Sequence, residues 1–466
     1  MVPVQGARIL RASTLLPLLV TAACASVPNL GPAPQMRAAS DYAASATLQS
    51  AGTAWPEQGW WLRFGDAQLT QLIEEGLKGS PDLVAAAARF RTAQGYAQRA
   101  GAALAPSING FASTEVTKRG DRDASTFAKA GLSLSFDLDL WGKNRAALAA
   151  STSDAEAAGY ELAQARLALT TGIASTYADL AQLYAQHDAL QSALEIREQT
   201  FALVSQRVEL GLDTHIELKQ AAARVPQARA DLATTDEAIA LTRNALAALV
   251  GAGPDRGLSI GRPSVATFKP SDLPVDASID LIGRRPDIAA ARANVEAKAS
   301  RIKEARAAFY PNISLSGLIG LSSFGLGNIL SGSAQFASAS PAVTLPIFHG
   351  GALSGNYKGA RGQYDEAVAS YDGAVINALK EVADAVTSRK MLGIQLAESR
   401  RSLADFEEAH QLAVRRFKAG LSTYLDVLST EEGLIGARLD VAQSETRALE
   451  LDIALVRALG GGFTRA

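Results

Sequence analysis

The second half of the chain repeats the pattern of its first half. Four motifs recur in the same order, with partners about 205 to about 209 residues apart. The partners are Ser80-Pro81-Asp82-Leu83 and Arg285-Pro286-Asp287-Ile288, Ala105-Pro106-Ser107-Ile108 and Tyr310-Pro311-Asn312-Ile313, Leu138-Asp139-Leu140-Trp141 and Leu345-Pro346-Ile347-Phe348, and the stretches from Arg207 to Leu212 and from Arg416 to Leu421. The sequence therefore predicts one structural unit used twice, over residues 51–250 and 276–460, joined by a Pro/Gly-rich linker at residues 251–275.

Each half contains a stretch that alternates between apolar and polar residues, which is the period-two pattern of β-strands. The apolar positions of the clearest stretch are Leu132, Leu134, Phe136, Leu138 and Leu140. We predict β-hairpins at residues 107–140 and 312–347. A helix precedes each hairpin, and in the first half we expect it to run from Asp66 to Ala103.

Each hairpin is followed by a long run without proline, at residues 142–210 and 352–419. At 1.5 Å per residue, a helix of that length extends roughly 100 Å. Its apolar residues fall mostly at spacings of three, four and seven, as in a coiled-coil seam. The predicted fold class is therefore mainly α, an elongated helical bundle with a β-barrel portion, and each long helix is followed by a tight turn and another helix.

The four predicted strands have the length and alternation of strands in an outer-membrane barrel. A bilayer tolerates no open sheet edge, because unpaired backbone groups in hydrocarbon cost several kcal/mol each. Closed membrane barrels have about eight strands or more. Copies of the chain must therefore complete the barrel. The sequence alone does not decide whether two or three copies do so.

The N-terminus reads as a secretory signal over residues 1–23, with Arg8 and Arg11 before a short apolar run. Cys24 is the only cysteine and follows this run directly. Its position resembles the processing site of bacterial lipoproteins, which predicts that Cys24 is lipidated and that residues 24–50 form an extended tether. Thr21 stands where that site usually has leucine, so ordinary cleavage near Ala25 is the alternative.

Composition and motifs argue against several other classes. The formal net charge is −2, without the basic field expected of a nucleic-acid-binding protein. The four histidines are scattered without metal-ligand spacing. The motifs of P-loop, α/β-hydrolase and zinc-protease sites do not occur. We predict no catalytic residues, no cofactor and no metal, and therefore no enzyme.

Five motifs in sequence order resemble those of the outer-membrane efflux family of the TolC type, especially the lipoprotein branch that includes OprM and NodT. They are residues 60–66 (WWLRFGD), 136–145 (FDLDLWGKNR), 284–288 (RRPDI), 305–311 (ARAAFYP) and 346–351 (PIFHGG). The resemblance implies a homotrimer with a twelve-stranded β-barrel in outer-membrane lipid and a twelve-helix α-barrel crossing the periplasm. It also implies a passive channel for small molecules. Its partners would be a periplasmic adaptor protein and an inner-membrane pump, commonly of the RND type.

Two turns join the long helices to the helices that follow them. Gly211-Leu212 and Gly420-Leu421 have the sequence of left-handed helix caps. Thr214 and Thr423 then begin new helices, each with an acid three residues later. By the resemblance, these tip turns form the periplasmic end of the channel.

The acids and leucine beside the turns are the predicted gate. By resemblance, Asp426 lies where a ring of carboxylates narrows the aperture, and Leu425 matches an apolar constriction position; Glu217 is the acid of the first turn. Ser422 and Ser429 stand where family members have charged residues. The alternative for Asp426 and Glu217 is helix capping, since an acid at this position is favoured by the helix dipole.

Trp141, Tyr310 and Phe348 lie where strands meet helices. They fit either an aromatic belt at the bilayer surface or packing against the helix ends. Arg284 and Arg285 begin a helix, and a structural pairing role is expected for them. A different function left open is that of a structural coiled-coil surface protein or adhesin, which would share the signal, the strands and the long helices.

Overall fold

The computed structural model describes residues 26–44, 47–48, 54–121, 123–264 and 277–465. The predicted signal peptide, Cys24 and part of the predicted linker lie outside these residues. Among the helices described, none is both long and apolar enough to span a bilayer.

The residues that the structure describes are mainly helical, with one four-stranded sheet. The helices are α1 (Ala67–Gly79), α2 (Pro81–Ala102), α3 (Lys143–Glu209), α4 (His215–Leu249), α5 (Asp255–Leu258), α6 (Ala277–Arg284), α7 (Pro286–Ala307), α8 (Ala352–Lys418) and α9 (Tyr424–Ala458). The strands are β1 (Ser107–Thr117), β2 (Ser125–Leu138), β3 (Asn312–Phe324) and β4 (Gln335–Thr344). The long helices α3 and α8 have 67 residues each, as their proline-free sequences predict.

The single helix expected from Asp66 to Ala103 is wrong, because the chain breaks between α1 and α2. Ser80 is extended, with φ −64° and ψ 120°, and Pro81 is the first residue of α2. A residue before proline is driven out of the helical region, while proline suits the first helical position. The second half has the same break, between Arg284 and Pro286.

The sheet is antiparallel throughout, in the order β1-β2-β3-β4. Its central pairing joins the hairpins of the two repeats, with Leu132 opposite Ile319 and Gly131 opposite Gly320. A Cβ atom on either glycine would overlap the facing backbone, so this pairing requires glycine there. β1 and β4 are the outer strands.

Two strands end earlier than the alternation suggests. β2 ends at Leu138, because Asp139 turns the chain and its carboxylate accepts hydrogen bonds from the backbone N–H groups of Asn144 and Arg145, at 3.0 and 2.9 Å. β4 ends at Thr344, just before Leu345 and Pro346.

The chain divides into two compact units, and each contains segments of both repeats. One unit holds the sheet with residues 89–159 and 290–372. In it, part of the predicted tether is fastened to α8. Arg361 donates to the carbonyl oxygens of Gly31 and Pro32, at 3.3 and 2.5 Å, and Tyr364 donates to that of Pro34, at 3.1 Å.

The other unit comprises residues 37–88, 160–289 and 373–466. Its main core is formed by α1, the middle of α3 and the C-terminal parts of α4 and α9. The buried side chains include Leu72, Ile73, Ile173, Tyr177, Leu246, Ile260 and Val456. A second core, described below, lies at the tip turns.

Candidate functional site

The first tip turn, residues 210–214, is a Schellman motif at the end of α3. Gly211 has a positive φ of 72°, which costs glycine no steric strain. Its N–H donates to the carbonyl of Val208 at 2.9 Å, and the N–H of Leu212 reaches that of Arg207 at 2.8 Å. The chain therefore reverses within a few residues and starts α4.

The second tip turn, residues 419–423, is a copy of the first. Gly420 has φ 74°, its N–H donates to the carbonyl of Phe417 at 3.0 Å, and the N–H of Leu421 donates to that of Arg416 at 2.8 Å. The two repeats thus end their long helices with the same hydrogen bonds.

Thr214 and Glu217 form a capping box at the start of α4. The Thr214 hydroxyl accepts from the N–H of Ile216 at 3.1 Å, and the Glu217 carboxylate accepts from the N–H of Thr214 at 3.1 Å. The hydrogen bond from the Thr214 hydroxyl is the main reason that the pKa of Glu217 lies below its ordinary value.

At the start of α9, the carboxylate of Asp426 accepts hydrogen bonds from the N–H and the hydroxyl of Thr423, both at 3.0 Å. Asp426 is exposed. The carboxylate therefore has a capping contact within its own chain. Its predicted place at an aperture stays a prediction, since a carboxylate that caps a helix can also face a channel.

The tip turns enclose a small core and leave several apolar side chains outside it. Val204, Phe417, Tyr424 and Val427 are buried together. The exposed apolar residues around the turns are Leu210, Leu212, Ile216, Leu421 and Leu425, the last with 70% of its surface accessible. Exposed apolar residues concentrated in one part of a fold are typical of an interaction site.

Arg207 contacts the first tip turn and the last turn of α8, which leads into the second tip turn; the sequence did not predict these contacts. Its Nε pairs with Asp213 at 2.7 Å, and its Nη1 donates to the carbonyl oxygen of Phe417 at 2.9 Å. Its guanidinium also lies over the Phe417 ring, 4.4 Å from the centroid. The only sequence signal was the repeat itself, in which Arg207 corresponds to Arg416.

Glu431 is a second residue that the sequence did not single out. It is 2% exposed and belongs to α9, and its carboxylate accepts a hydrogen bond from the hydroxyl of Thr200, in α3, at 3.0 Å. Nε of Arg197 is 3.7 Å from the other carboxylate oxygen. Burial raises the pKa of Glu431, although Thr200 and Arg197 oppose that shift.

Of the three predicted interface aromatics, the structure brings two together. Trp141 and Tyr310 stack with ring centroids 4.9 Å apart, and the indole N–H of Trp141 donates to the carbonyl of Pro311 at 2.8 Å. Both rings remain partly exposed, while Phe348 is 87% exposed. A membrane belt stays a prediction for all three.

Arg285 has the pairing contacts expected of a structural residue. It is buried, forms two hydrogen bonds with Asp287, at 3.0 and 2.6 Å, and donates to Glu381 at 2.6 Å and to the carbonyl of Ala458 at 2.9 Å. Arg284 lies over the ring of Trp55, 4.7 Å from its centroid. Within the described part of the chain, no cluster of His, Cys, Asp or Glu is placed to hold a metal ion.

Comparison with known proteins gives matches along nearly the whole chain. The family model described as "Outer membrane efflux protein" matches residues 72–252 and 279–461, one segment in each repeat. The multidrug resistance outer membrane protein MdtP of Escherichia coli O6:H1 is 30% identical over 440 residues, which cover 90% of this chain and 89% of that protein. The pyoverdine export outer membrane protein OpmQ of Pseudomonas putida is 30% identical over 469 residues, covering 96% and 97%.

The crystal structure of the outer membrane protein VceC of Vibrio cholerae is similar in fold as well as in sequence. It superimposes with a TM-score of 0.84 and is 40% identical in sequence. The match covers 88% of this chain and 100% of the VceC chain. The similarity includes both the helices and the sheet described above.

Proposed function

The chain belongs to the outer membrane efflux protein family, and from this membership we propose that it forms the outer-membrane channel of a tripartite efflux system. The observation that carries the proposal is the family match in each repeat, on a chain whose long helices and antiparallel sheet match those of VceC. The channel is passive and catalyses no reaction. Relatives named for multidrug resistance and pyoverdine export suggest small molecules as cargo.

The channel is proposed to be a homotrimer. Four strands per chain, with β1 and β4 at the sheet edges, give twelve strands when three copies pair β4 with β1 of the next copy. Such a barrel closes every edge against outer-membrane lipid and is wide enough for a lumen. A periplasmic adaptor protein and an inner-membrane pump, of the RND type, supply substrate and energy.

Cysteine crosslinking tests the trimer. One cysteine at Thr114 in β1 is combined in turn with one at Ser338, Ala339 or Ser340 in β4, because the register between copies is unknown. We expect one combination to give covalent trimers in outer membranes. The control places cysteines at Ser133 and Leu318, which are partners within one chain and should give monomers only.

The channel itself is tested by electrical recording. The purified protein should conduct ions across planar bilayers, and cells lacking their own efflux channel should regain export when given this chain with its adaptor and pump. A protein that stays monomeric in water and inserts into no bilayer would overturn the proposal.

The gate is proposed at the tip turns, formed by Asp426, Leu425 and Glu217. Three carboxylates near one axis attract cations, so Asp426→Asn should lower cation selectivity while it keeps an oxygen for the Thr423 cap. Glu217→Gln tests whether the first turn contributes. Equal ion selectivity in wild type and Asp426→Asn, with both correctly assembled, would leave Asp426 with its capping role alone.

Lipidation of Cys24 is proposed from the sequence position of this residue. Metabolic labelling with a palmitate analogue should mark the wild-type chain and leave Cys24→Ser unlabelled. An unlabelled wild-type chain that begins near Ala25 would support ordinary cleavage instead.

A further inference from the structure

We propose that the junction between the sheet and the helices holds a binding site for the phosphate group of an anionic phospholipid. The site is a cavity of about 500 Å³ between the start of α3 and the end of α7. Its charged and aromatic lining residues are Trp141, Arg145, Lys303, Arg306 and Tyr310. The inference rests on the proposed outer-membrane channel, to which it adds a lipid ligand.

The cavity lies at the ends of the two central strands. Trp141 comes just after the end of β2, and Tyr310 comes just before the start of β3. These two strands pair within one chain, whereas β1 and β4 are the edges proposed to pair with other copies. The cavity therefore belongs to a single chain and lies away from the proposed strand pairing between copies. When the sheet spans the bilayer, the cavity lies at the membrane surface on the side of the helices.

The lining of the cavity is basic, and none of the described residues that form it is acidic. Lys303 and Arg306 lie one turn apart on α7, and both are exposed. Within the described chain, neither of them forms an ion pair with an acidic side chain. Like charges that share one cavity repel each other, so an anion bound between them stabilises both.

Arg145 adds a third cation, whose position is fixed by the turn that follows β2. Its Nε pairs with the carboxylate of Asp139 at 3.3 Å, and its Nη2 donates to the backbone carbonyl of Asp139 at 2.9 Å. The side chain of Arg145 is still 63% exposed. Three basic residues and the one carboxylate of Asp139 leave a net of two positive charges at the cavity. Guanidinium and ammonium groups are the usual protein donors to phosphate oxygens.

The stacked rings of Trp141 and Tyr310 supply an apolar wall beside these charges. The hydrogen bond from the indole N–H to the carbonyl of Pro311 fixes the orientation of Trp141. The two aromatic residues keep 51% and 36% of their surface accessible. A free phosphate ion would use the cations alone, whereas a phospholipid also brings glycerol and acyl carbons to the rings. The combination of basic side chains with aromatic rings at a membrane surface therefore favours a lipid headgroup.

The corresponding junction of the other repeat lacks the charges. There α2 precedes β1, and the positions of Lys303 and Arg306 are taken by Gln98 and Gly101. The third residue of α8, which corresponds to Arg145 in α3, is Ser354. Helices and strands thus join in that repeat without these three cations. The fold of the junction does not require them, which supports a role in binding.

Native mass spectrometry of the wild-type trimer in detergent tests the site. With phosphatidylglycerol and phosphatidylcholine added in equal amounts, the trimer should retain phosphatidylglycerol preferentially, with up to three tightly held molecules, one per chain. The choline cation of the other lipid would be repelled by the basic lining. The double variant Lys303→Gln with Arg306→Gln should bind phosphatidylglycerol roughly thirtyfold more weakly, a change that corresponds to about 2 kcal/mol.

Two further double variants serve as controls. Arg91→Gln with Arg99→Gln removes the same charge from α2, outside the cavity, and should bind phosphatidylglycerol as the wild type does. Lys303→Arg with Arg306→Lys keeps both charges and should keep the preference for the anionic lipid. The same spectra report the mass of each assembly, so only variants that form the wild-type oligomer are compared.

A competition experiment distinguishes a lipid from a soluble anion. An excess of inorganic phosphate should leave phosphatidylglycerol bound, because phosphate makes no contact with the aromatic wall. Displacement of the lipid by phosphate would overturn the lipid as the ligand and assign the cavity to a soluble anion.

The outcomes also separate this inference from the proposed function. Wild-type protein that forms no conducting trimer would overturn the channel itself. Conducting wild-type trimers that bind both lipids equally would overturn the lipid site only. Equal weakening in the cavity variant and in the α2 variant would do the same, since it would show a general effect of surface charge.

Discussion

Gly251 lies against the carbonyl oxygen of Gly79, so closely that a Cβ atom on residue 251 would overlap that oxygen. The second repeat reproduces the contact between Gly460 and the carbonyl of Arg284. Both glycines have a positive φ, of 77° and 86°. In each repeat, the end of the last long helix therefore meets the end of the first short helix through a glycine that no other residue can replace without strain.

Alanine at either glycine should destabilise the fold. The left-handed backbone costs a non-glycine residue about 1–2 kcal/mol, and the overlap with a backbone oxygen adds to this cost. We expect Gly251→Ala and Gly460→Ala to lower the thermal unfolding midpoint of the solubilised protein. Gly253→Ala is the control, because a Cβ there meets no atom within 4 Å. Indistinguishable midpoints for the three variants would contradict this account.

The stability of the fold should decrease at acid pH because of Asp66. Its buried carboxylate accepts hydrogen bonds from the hydroxyl of Tyr177 at 2.8 Å and from the N–H groups of Ser264 and Leu69 at 2.9 and 3.0 Å. Burial acts to raise the pKa of Asp66, but these bonds outweigh it and the pKa is lowered. The stabilisation is therefore complete above the ordinary pKa of aspartate and is lost as pH falls through the lowered value.

Asp66→Asn is predicted to reduce the free energy of unfolding by about 1–3 kcal/mol at neutral pH. The difference from the wild type should begin to shrink as pH falls below about 4, where Asp66 of the unfolded chain binds its proton, and it should vanish below the lowered pKa of the folded state. Denaturant unfolding followed by circular dichroism at several pH values measures both quantities. A difference that stays constant across that range would show that the charge of Asp66 is unimportant.

The features that the sequence predicted are those set by neighbouring residues. The Schellman bonds at Gly211 and Gly420 close within a few residues, so a glycine followed by leucine was enough to predict both turns. The alternation around Leu132 and Leu134 likewise predicted a strand. At Ser80, the prediction of one continuous helix was wrong. The helical pattern continues through Ser80 and Pro81, but Pro81 is the first residue of a second helix.

The features that the sequence did not predict depend on residues far apart in the chain. Arg207 and Phe417 are brought together by the pairing of the two repeats, and so are Glu431 and Thr200. The periodicity of the sequence does not show which of the many arginines donates a hydrogen bond to a given carbonyl. In a helix whose surface is rich in charged residues, the sequence does not distinguish a buried glutamate from an exposed one.

The stack of Trp141 on Tyr310 leads to a prediction about membrane depth. If the pair lies at the bilayer surface, lipids brominated near the headgroup should quench part of the tryptophan fluorescence of the reconstituted protein. Trp141→Phe should abolish that quenched part, and Trp61→Phe, in the other compact unit, should retain it. Equal quenching in both variants would argue that the stack only packs the strands against the helices.

Glu431 and Glu432 are neighbours in sequence with opposite surroundings. Glu431 is buried beside Thr200 and Arg197, whereas the side chain of Glu432 is 52% exposed and pairs with Arg224 at 2.7 Å. Burial raises the pKa of Glu431 above the value of an unfolded chain. The folded state therefore binds the proton more tightly, and its contribution to stability is greatest below the ordinary glutamate pKa and is lost as pH rises through the raised value.

Substitution by glutamine separates the charge of Glu431 from its hydrogen bond. Glu431→Gln keeps an acceptor for Thr200 and removes the buried charge, so it should be at least as stable as the wild type at neutral pH and should converge with it as pH falls towards about 4. Glu431→Ala leaves the Thr200 hydroxyl without this acceptor and should cost about 1–3 kcal/mol at every pH. Glu432→Gln is the matched control, since an exposed pair contributes less than about 1 kcal/mol. Urea unfolding of the four proteins between acid and neutral pH distinguishes these cases, and a Glu431→Gln variant much less stable than the wild type at neutral pH would mean that Arg197 depends on the buried charge.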